Sequence, residues 1–260
     1  MRIFESNMKS TITIVGCGWL GFPLGISLLK EEFTVYGSGQ SQEKVDSITS
    51  AGMHGFLYSE FNTTSIPSEA KSSDFLIINF PPSKSSDYAQ QVHDLIEQFS
   101  SETKVLFTSS TSVYKDIDAR IDETAERNKE HAVTSAEDCV INSGHNYCIF
   151  RLAGLIDETR HPIKFLSDRE TQNALGKVNL VHKLDVINAV LIQLNAADWN
   201  TIYNVCSPEH PSRRDYYTQT AISRGIPLPK FITEGSFGKE ISSQKLIETL
   251  DFQFNQSIFF

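Results

Sequence analysis

One stretch constrains this chain more than any other: Thr11-Ile-Thr-Ile-Val-Gly-Cys-Gly-Trp-Leu-Gly21. An apolar run of strand length meets three glycines spaced Gly16-x-Gly18-x-x-Gly21. A helix-length segment, Pro23 to Lys30, follows, with the proline in its first turn, where a missing N–H costs nothing. A chain leaving a strand for a helix this quickly must turn tightly, and Gly16 permits that. Gly18 lets the backbone approach a pyrophosphate, and Gly21 lets the helix pack close to the strand. Trp19 and Leu20, at the helix N-terminus, present N–H groups to phosphate oxygens. A plain glycine turn would use the same residues. The strand before it and the helix after it favour a dinucleotide.

The rest of the chain repeats this alternation. Further strands are expected at Phe33–Tyr36, Phe56–Tyr58, Asp74–Asn79, Lys104–Phe107, Tyr147–Phe150 and Ile202–Val205. Helices are expected at Gln42–Ala51, Asp87–Phe99, Ser135–Asn142, Leu184–Asn195, Ser212–Arg224 and Ser242–Thr249. Val92, Leu95, Ile96 and Phe99 share one face of the Asp87–Phe99 segment. Strands alternating with helices over short connections predict an α/β fold, a Rossmann-type doubly wound parallel sheet of about seven strands. After Asp157 the pattern loosens, and "DETRHPIKFLSDRE" and "GIPLPKFITEGSFGKE" read as loops. The chain is expected to be a single unit over 1–260. Its dinucleotide-binding core would be 10–156 plus 178–206, and a small substrate-side lid would be 157–177 plus 207–260.

Composition excludes several classes. The net charge is −9, from 23 basic and 32 acidic residues, and no basic run stands out, so neither nucleic acid nor an anionic membrane is an expected partner. The four cysteines lack metal or redox spacing, and the seven histidines include no pair at zinc-ligand spacing, so no metal is expected. The N-terminus lacks the apolar core of a secretory signal and no stretch is long and apolar enough to span a bilayer, which makes the cytoplasm the default location. A monomer or homodimer is expected.

Two more segments bear on chemistry. The ribose-reading residue should end the second strand, near Ser38 in "VYGSGQSQEK". No acid stands there to repel a 2′-phosphate. Ser38, Gln40 and Ser41, with Lys44 beyond, tolerate or attract one, which leans the expectation to NADP over NAD. After Lys104–Phe107 come five hydroxyl residues in a row, Thr108, Ser109, Ser110, Thr111 and Ser112, then Val113 and Tyr114. Strand ends are where ligands bind in such sheets.

The glycine loop, "LFTSSTSVY", "FRLAGLI", "NLVHKLDVINAV" and "IYNVCSP" together resemble the extended short-chain dehydrogenase/reductases, the nucleoside-diphosphate-sugar epimerase and dehydratase group, and most of all its YeeZ-like branch. The resemblance implies a small-molecule substrate such as a nucleotide sugar and hydride transfer with a nicotinamide. It implies that Asn79-Phe80-Pro81-Pro82 and Ser109 line the cofactor, that Thr111 and Ser112 face the substrate, and that Ser110 orients the substrate hydroxyl. It also implies a tyrosine base with a lysine one turn later. Ser135 stands at the tyrosine position and Cys139 at the lysine position, and no tyrosine lies between Tyr114 and Tyr147. A serine hydroxyl is far less acidic than a phenol (pKa about 10), and a thiol (pKa about 8.5) supplies no ammonium charge. The remaining acid–base candidates are His161 and His182, with His182 also placed in a strand-to-helix turn that Asp185 would cap. Arg160 with His161 reads equally as an anion clamp and as a solvated loop. Three readings follow: an NAD(P)-dependent oxidoreductase or epimerase with a non-standard base, a dinucleotide-binding sensor without turnover, or an interaction protein that has lost the cofactor, against which the intact glycine loop argues.

Overall fold

The computed structural model describes residues 9–59, 65–82, 87–165 and 170–260. The start of the N-terminal stretch and residues 166–169 of the loop after Asp157 lie outside them. The elements run β1 (Thr11–Val15), α1 (Gly21–Lys30), β2 (Thr34–Gly39), α2 (Gln42–Ser50), β3 (His54–Leu57), α3 (Ser68–Lys71), β4 (Phe75–Ile78), α4 (Tyr88–Ile96) and β5 (Lys104–Ser110). They continue with β6 (Arg120–Ile121), α5 (Ala132–Ile141), β7 (Tyr147–Leu152), β8 (Gly154–Ile156), β9 (Glu170–Thr171), β10 (Leu180–His182) and α6 (Lys183–Asn195). The last are β11 (Thr201–Val205), α7 (Arg213–Arg224), β12 (Lys230–Phe231), β13 (Glu240–Ile241) and α8 (Gln244–Leu250).

Seven strands form the central sheet in the order β11-β7-β5-β4-β1-β2-β3. β1 pairs in parallel with both β2 and β4, so the strand order reverses between β1 and β4. That reversal is the topological switch point, and the crevice there opens at the carboxyl ends of β1 and β4, where the chain places Gly16 and Asn79. All four residues of β4 are buried, as are the last four of β1, because helices cover both faces of a parallel sheet. This is why these strands read as unbroken apolar runs rather than as alternating ones. The sheet is the Rossmann-type α/β fold that the alternation predicts.

Contacts divide the chain into two compact units. The first comprises Met1–Thr108, Glu130–Ile149 and Trp199–Thr201. Its core is built from Ile12, Ile14, Leu24, Leu28, Leu76 and Leu106, all at most 1% exposed. The second comprises Ser109–Lys129, Phe150–Asp198 and Ile202–Phe260. Here Ile156, Ile163, Val178, Leu180, Tyr216, Tyr217, Ala221 and Ile258 form a core of their own. Three short parallel pairs, β10 with β8, β12 with β9 and β13 with β6, stitch its long connections together. These pairs of two or three residues carry no periodicity, and β12 lies in a segment that the sequence reads as a loop.

Two local expectations change. Arg151 lies inside β7 rather than after it. The cap of α6 is His182, whose Nδ1 accepts the Leu184 N–H at 3.2 Å, and not Asp185. Asp185 is fully buried and accepts the N–H groups of Asn255 (3.0 Å) and Gln256 (3.2 Å), which pins the final segment to α6. Replacing it with alanine removes the carboxylate that both N–H groups donate to, at about 1–3 kcal/mol. Urea unfolding of Asp185→Ala should therefore show a lower midpoint, while Asp185→Asn, which keeps one acceptor, should lose less.

Candidate functional site

In the first unit the glycine loop is a fully specified turn. Gly16 has φ +110°, and a Cβ there would fall 2.3 Å from the Asn79 carbonyl oxygen, so only glycine fits. A Cβ on Gly21 would fall 2.2 Å from the Gly16 carbonyl oxygen, so this glycine sets how closely α1 meets the turn. Gly18 differs: it is exposed, and an added Cβ would meet nothing within 4 Å. Leu20 stands at the N-cap of α1, with no side-chain cap bond and no acid in the first turn. An uncapped helix start beneath an open glycine suits a phosphate group. Trp19 is half-buried beside it and Leu20 is buried.

Ser38 is 4% exposed, and its Oγ accepts the Gly16 N–H at 2.9 Å. It is thus part of the turn's scaffold. Gln40 and Ser41 are exposed, and Ser41 caps α2 by accepting the Lys44 N–H. The Lys44 ammonium stands 4.5 Å from the Phe22 ring centroid, over the first turn of α1. Phe80 packs edge-on against Tyr88, whose hydroxyl donates to the Phe80 carbonyl at 2.8 Å, and Pro81 is exposed. Sequence reasoning placed Asn79 along the cofactor but missed Thr108 as a ligand-loop element, and it missed the bond that joins the two. Asn79 Nδ2 donates to the Gly16 carbonyl at 2.9 Å, and Thr108 Oγ1 donates to Asn79 Oδ1 at 3.0 Å. No pattern in one sequence marks a bond between residues so far apart. On α5, Ser135 is exposed and Cys139 half-buried, one turn apart. Burial, then Asp138 and Asp87, push the Cys139 thiol up, so it stays protonated.

In the second unit, Ser110 caps a 3-10 turn over Thr111–Val113, accepting the Ser112 N–H at 3.1 Å and lying 2.9 Å from Ser112 Oγ. Ser109 and Thr111 are buried, and Ser112 is exposed. Beneath the turn Tyr114 donates its hydroxyl hydrogen to Asn204 Oδ1 (2.7 Å) and accepts from buried Arg151 (2.8 Å). Arg151 also donates to the Glu123 carbonyl at 3.2 Å, and Glu123 Oε1 accepts the Asn204 N–H at 2.7 Å. Burial pushes the Tyr114 phenol and the Glu123 carboxyl up.

Arg160 and His161 do not form a shared surface. Arg160 is exposed, whereas His161 is fully buried, stacked on Tyr216 and bonded through Nε2 to its hydroxyl at 2.7 Å. Burial, then Arg224 and Lys164, lower His161 to about 4, below the range of a base at neutral pH. His182 is 3% exposed and is occupied as a cap. Asp157 organises the same loop. Burial works against its charge, but bonds from Lys183, from the Thr159 hydroxyl and from the Arg160 and Thr159 N–H groups outweigh it and hold the carboxyl at about 2. For His161 the folded value of about 4 lies below the ordinary 6.5, so the unfolded chain binds the extra proton between them. The stability it contributes is complete above pH 6.5 and is lost as pH falls towards 4. Denaturant titrations at pH 7.5 and about pH 4.5 should show a smaller acid loss in His161→Gln than in the wild type.

Comparison with known proteins fits this geometry. The family model for the NAD binding domain of 6-phosphogluconate dehydrogenase matches residues 11–134. The Escherichia coli K12 protein YeeZ is 34% identical over 260 residues, covering 94% of this chain and 95% of YeeZ. Among solved structures, a functionally unknown conserved protein from Silicibacter pomeroyi DSS aligns with a TM-score of 0.78 at 20% identity, over 96% of this chain and 95% of that one. UDP-glucuronic acid 4-epimerase from Bacillus cereus, in complex with NAD, aligns with a TM-score of 0.75 at 15% identity, over 95% and 92%. At those identities the structural matches speak for the fold alone. Glycine turn, sheet order and full-length identity converge on one statement: this chain belongs to the YeeZ family and carries an NAD-binding Rossmann domain.

Proposed function

We propose that the chain binds NADP in preference to NAD at the glycine loop, and acts as an oxidoreductase or epimerase on a small hydroxylated substrate such as a nucleotide sugar. One observation carries the cofactor assignment. Gly16 and Gly21 are required by the protein's own packing, but Gly18 is not, since a side chain there would enter open space. A glycine that the fold does not need is explained by a ligand pressed against its backbone. The NADP preference rests on Gln40, Ser41 and the ammonium of Lys44, with no acid at the end of β2. The substrate class follows the Bacillus cereus protein of the same fold, which is a UDP-glucuronic acid 4-epimerase.

A bound dinucleotide would supply the nicotinamide that takes or gives a hydride. Ser110, held by Ser112, would orient a substrate hydroxyl, with Thr111 and Ser112 beside it. None of the acid–base candidates Cys139, His161 and His182 is free to act as a strong base at neutral pH. Cys139 stays a thiol, His161 stays neutral and buried, and His182 is a cap. That observation favours the second reading, a dinucleotide-binding sensor or regulator without turnover.

Thermal denaturation with NAD, NADH, NADP and NADPH tests the first claim. At 100 times Kd a ligand adds about 2.7 kcal/mol of stability. Gly18→Val should fold like the wild type and lose that shift; if it binds normally, the loop assignment fails. Lys44→Glu should reverse the preference towards NAD, and tighter wild-type binding of NAD than of NADP would refute the lean. Turnover separates the two readings. A positioned base contributes roughly 10²–10⁴-fold, so slow or absent conversion of UDP-glucuronic acid is expected, rising in the double variant Ser135→Tyr with Cys139→Lys. Fast wild-type conversion would rule out the sensor.

A further inference from the structure

The Gly16 peptide is gripped from both sides. Its N–H donates to Ser38 Oγ at 2.9 Å. Its carbonyl accepts twice, from Asn79 Nδ2 at 2.9 Å and from the Gly18 N–H at 2.8 Å. Asn79 is itself fixed, because the Thr108 hydroxyl donates to its Oδ1 (3.0 Å) and to the Ile78 carbonyl (3.1 Å). The Gly16 carbonyl sets the amide orientation: it can only accept, so Nδ2 must face it and Oδ1 faces the Thr108 hydroxyl, whose one hydrogen is shared with the Ile78 carbonyl. The Gly18 carbonyl then accepts the Phe22 N–H at 3.0 Å, which begins the helical ladder of α1. A chain of bonds thus runs from Thr108 through Asn79 and Gly16 to Gly18, the residue with open space above it.

We propose that Ser38, Asn79 and Thr108 are positioning residues for the pyrophosphate of the dinucleotide, fixing the direction of the Gly18 backbone through the Gly16 carbonyl. The inference rests on the glycine loop being the dinucleotide site. Its physical basis is that the Gly16 carbonyl keeps the Gly18 N–H when Asn79 is removed, so little folding stability is at stake. What is lost is the second bond that stops this carbonyl, and Gly18 with it, from swinging. The Ser38 hydroxyl is engaged beneath the turn, which leaves recognition of the adenosine ribose to the exposed Gln40 and Ser41.

The test compares two ligands by calorimetry. ADP-ribose carries the pyrophosphate, and adenosine 2′-phosphate does not. Asn79→Ala should raise the Kd for ADP-ribose about tenfold and leave that for adenosine 2′-phosphate unchanged. Thr108→Val should act in the same direction, and Thr108→Ser, which keeps the hydroxyl, should restore wild-type affinity. Should Asn79→Ala fail to fold, the Thr108 pair decides alone. Unchanged ADP-ribose affinity in the variants overturns the proposal, as does equal weakening of both ligands, which would mark a merely structural role. A wild type that binds neither ligand overturns the dinucleotide assignment and this inference with it. A wild type that binds both, with indifferent variants, overturns only this inference.

Discussion

The approach of the Gly21 Cα to the Gly16 carbonyl is the contact on which the first unit depends. A methyl group on Gly21 would come within 2.2 Å of that oxygen, so α1 can leave β1 at this angle only because no side chain intervenes. Once α1 is set, Leu24 and Leu28 are delivered onto β1, and each is at most 1% exposed. The same turn fills the switch point between β1 and β4, where Asn79 closes it from the neighbouring strand. Substitutions at Gly16 or Gly21 disturb this packing, whereas a side chain on Gly18 would enter open space.

The hydroxyl run that ends β5 and continues past it divides by function rather than acting as one surface. Thr108 turns to Asn79 and serves the glycine turn. Ser110 and Ser112 bond to one another and shape the 3-10 turn. Below them, Tyr114, Arg151, Glu123 and Asn204 form a buried network in which each side chain has a hydrogen-bonded partner. Such a network is costly when half satisfied and rigid when complete, and here it fixes the turn that presents Ser110. The run owes its hydroxyls to several separate tasks, of which bracing the glycine turn and capping the 3-10 turn are two.

Much of the fold was legible because it rests on short-range patterns. Apolar runs of strand length alternating with helix-length segments report burial on both faces of a parallel sheet, and the strand–Gly–helix spacing reports the turn. The short strands β6, β8, β9, β12 and β13 were not legible, since two or three residues show no period. The boundaries of β5 and β7 were drawn too early for a related reason. Polar Thr108, Ser109 and Ser110 and charged Arg151 look like strand ends, yet their backbones continue the ladder while their side chains bond elsewhere.

The sequence by itself determined the sheet's composition, the location of the glycine turn, and the absence of an acid near Ser38 and of a tyrosine at position 135. These follow from residue identity and local spacing. Only the tertiary structure decided what each polar residue does. It turned Ser38 under the loop, joined Asn79 and Thr108 to it, buried His161 against Tyr216 and made His182 a cap. A hydrogen bond needs its partners within about 3 Å, and the partners of Ser38, Asn79 and Tyr114 lie 22, 63 and 90 residues away. Spacing along the chain carries no record of such pairings, so the roles of these side chains emerge only when the strands that hold them are brought side by side.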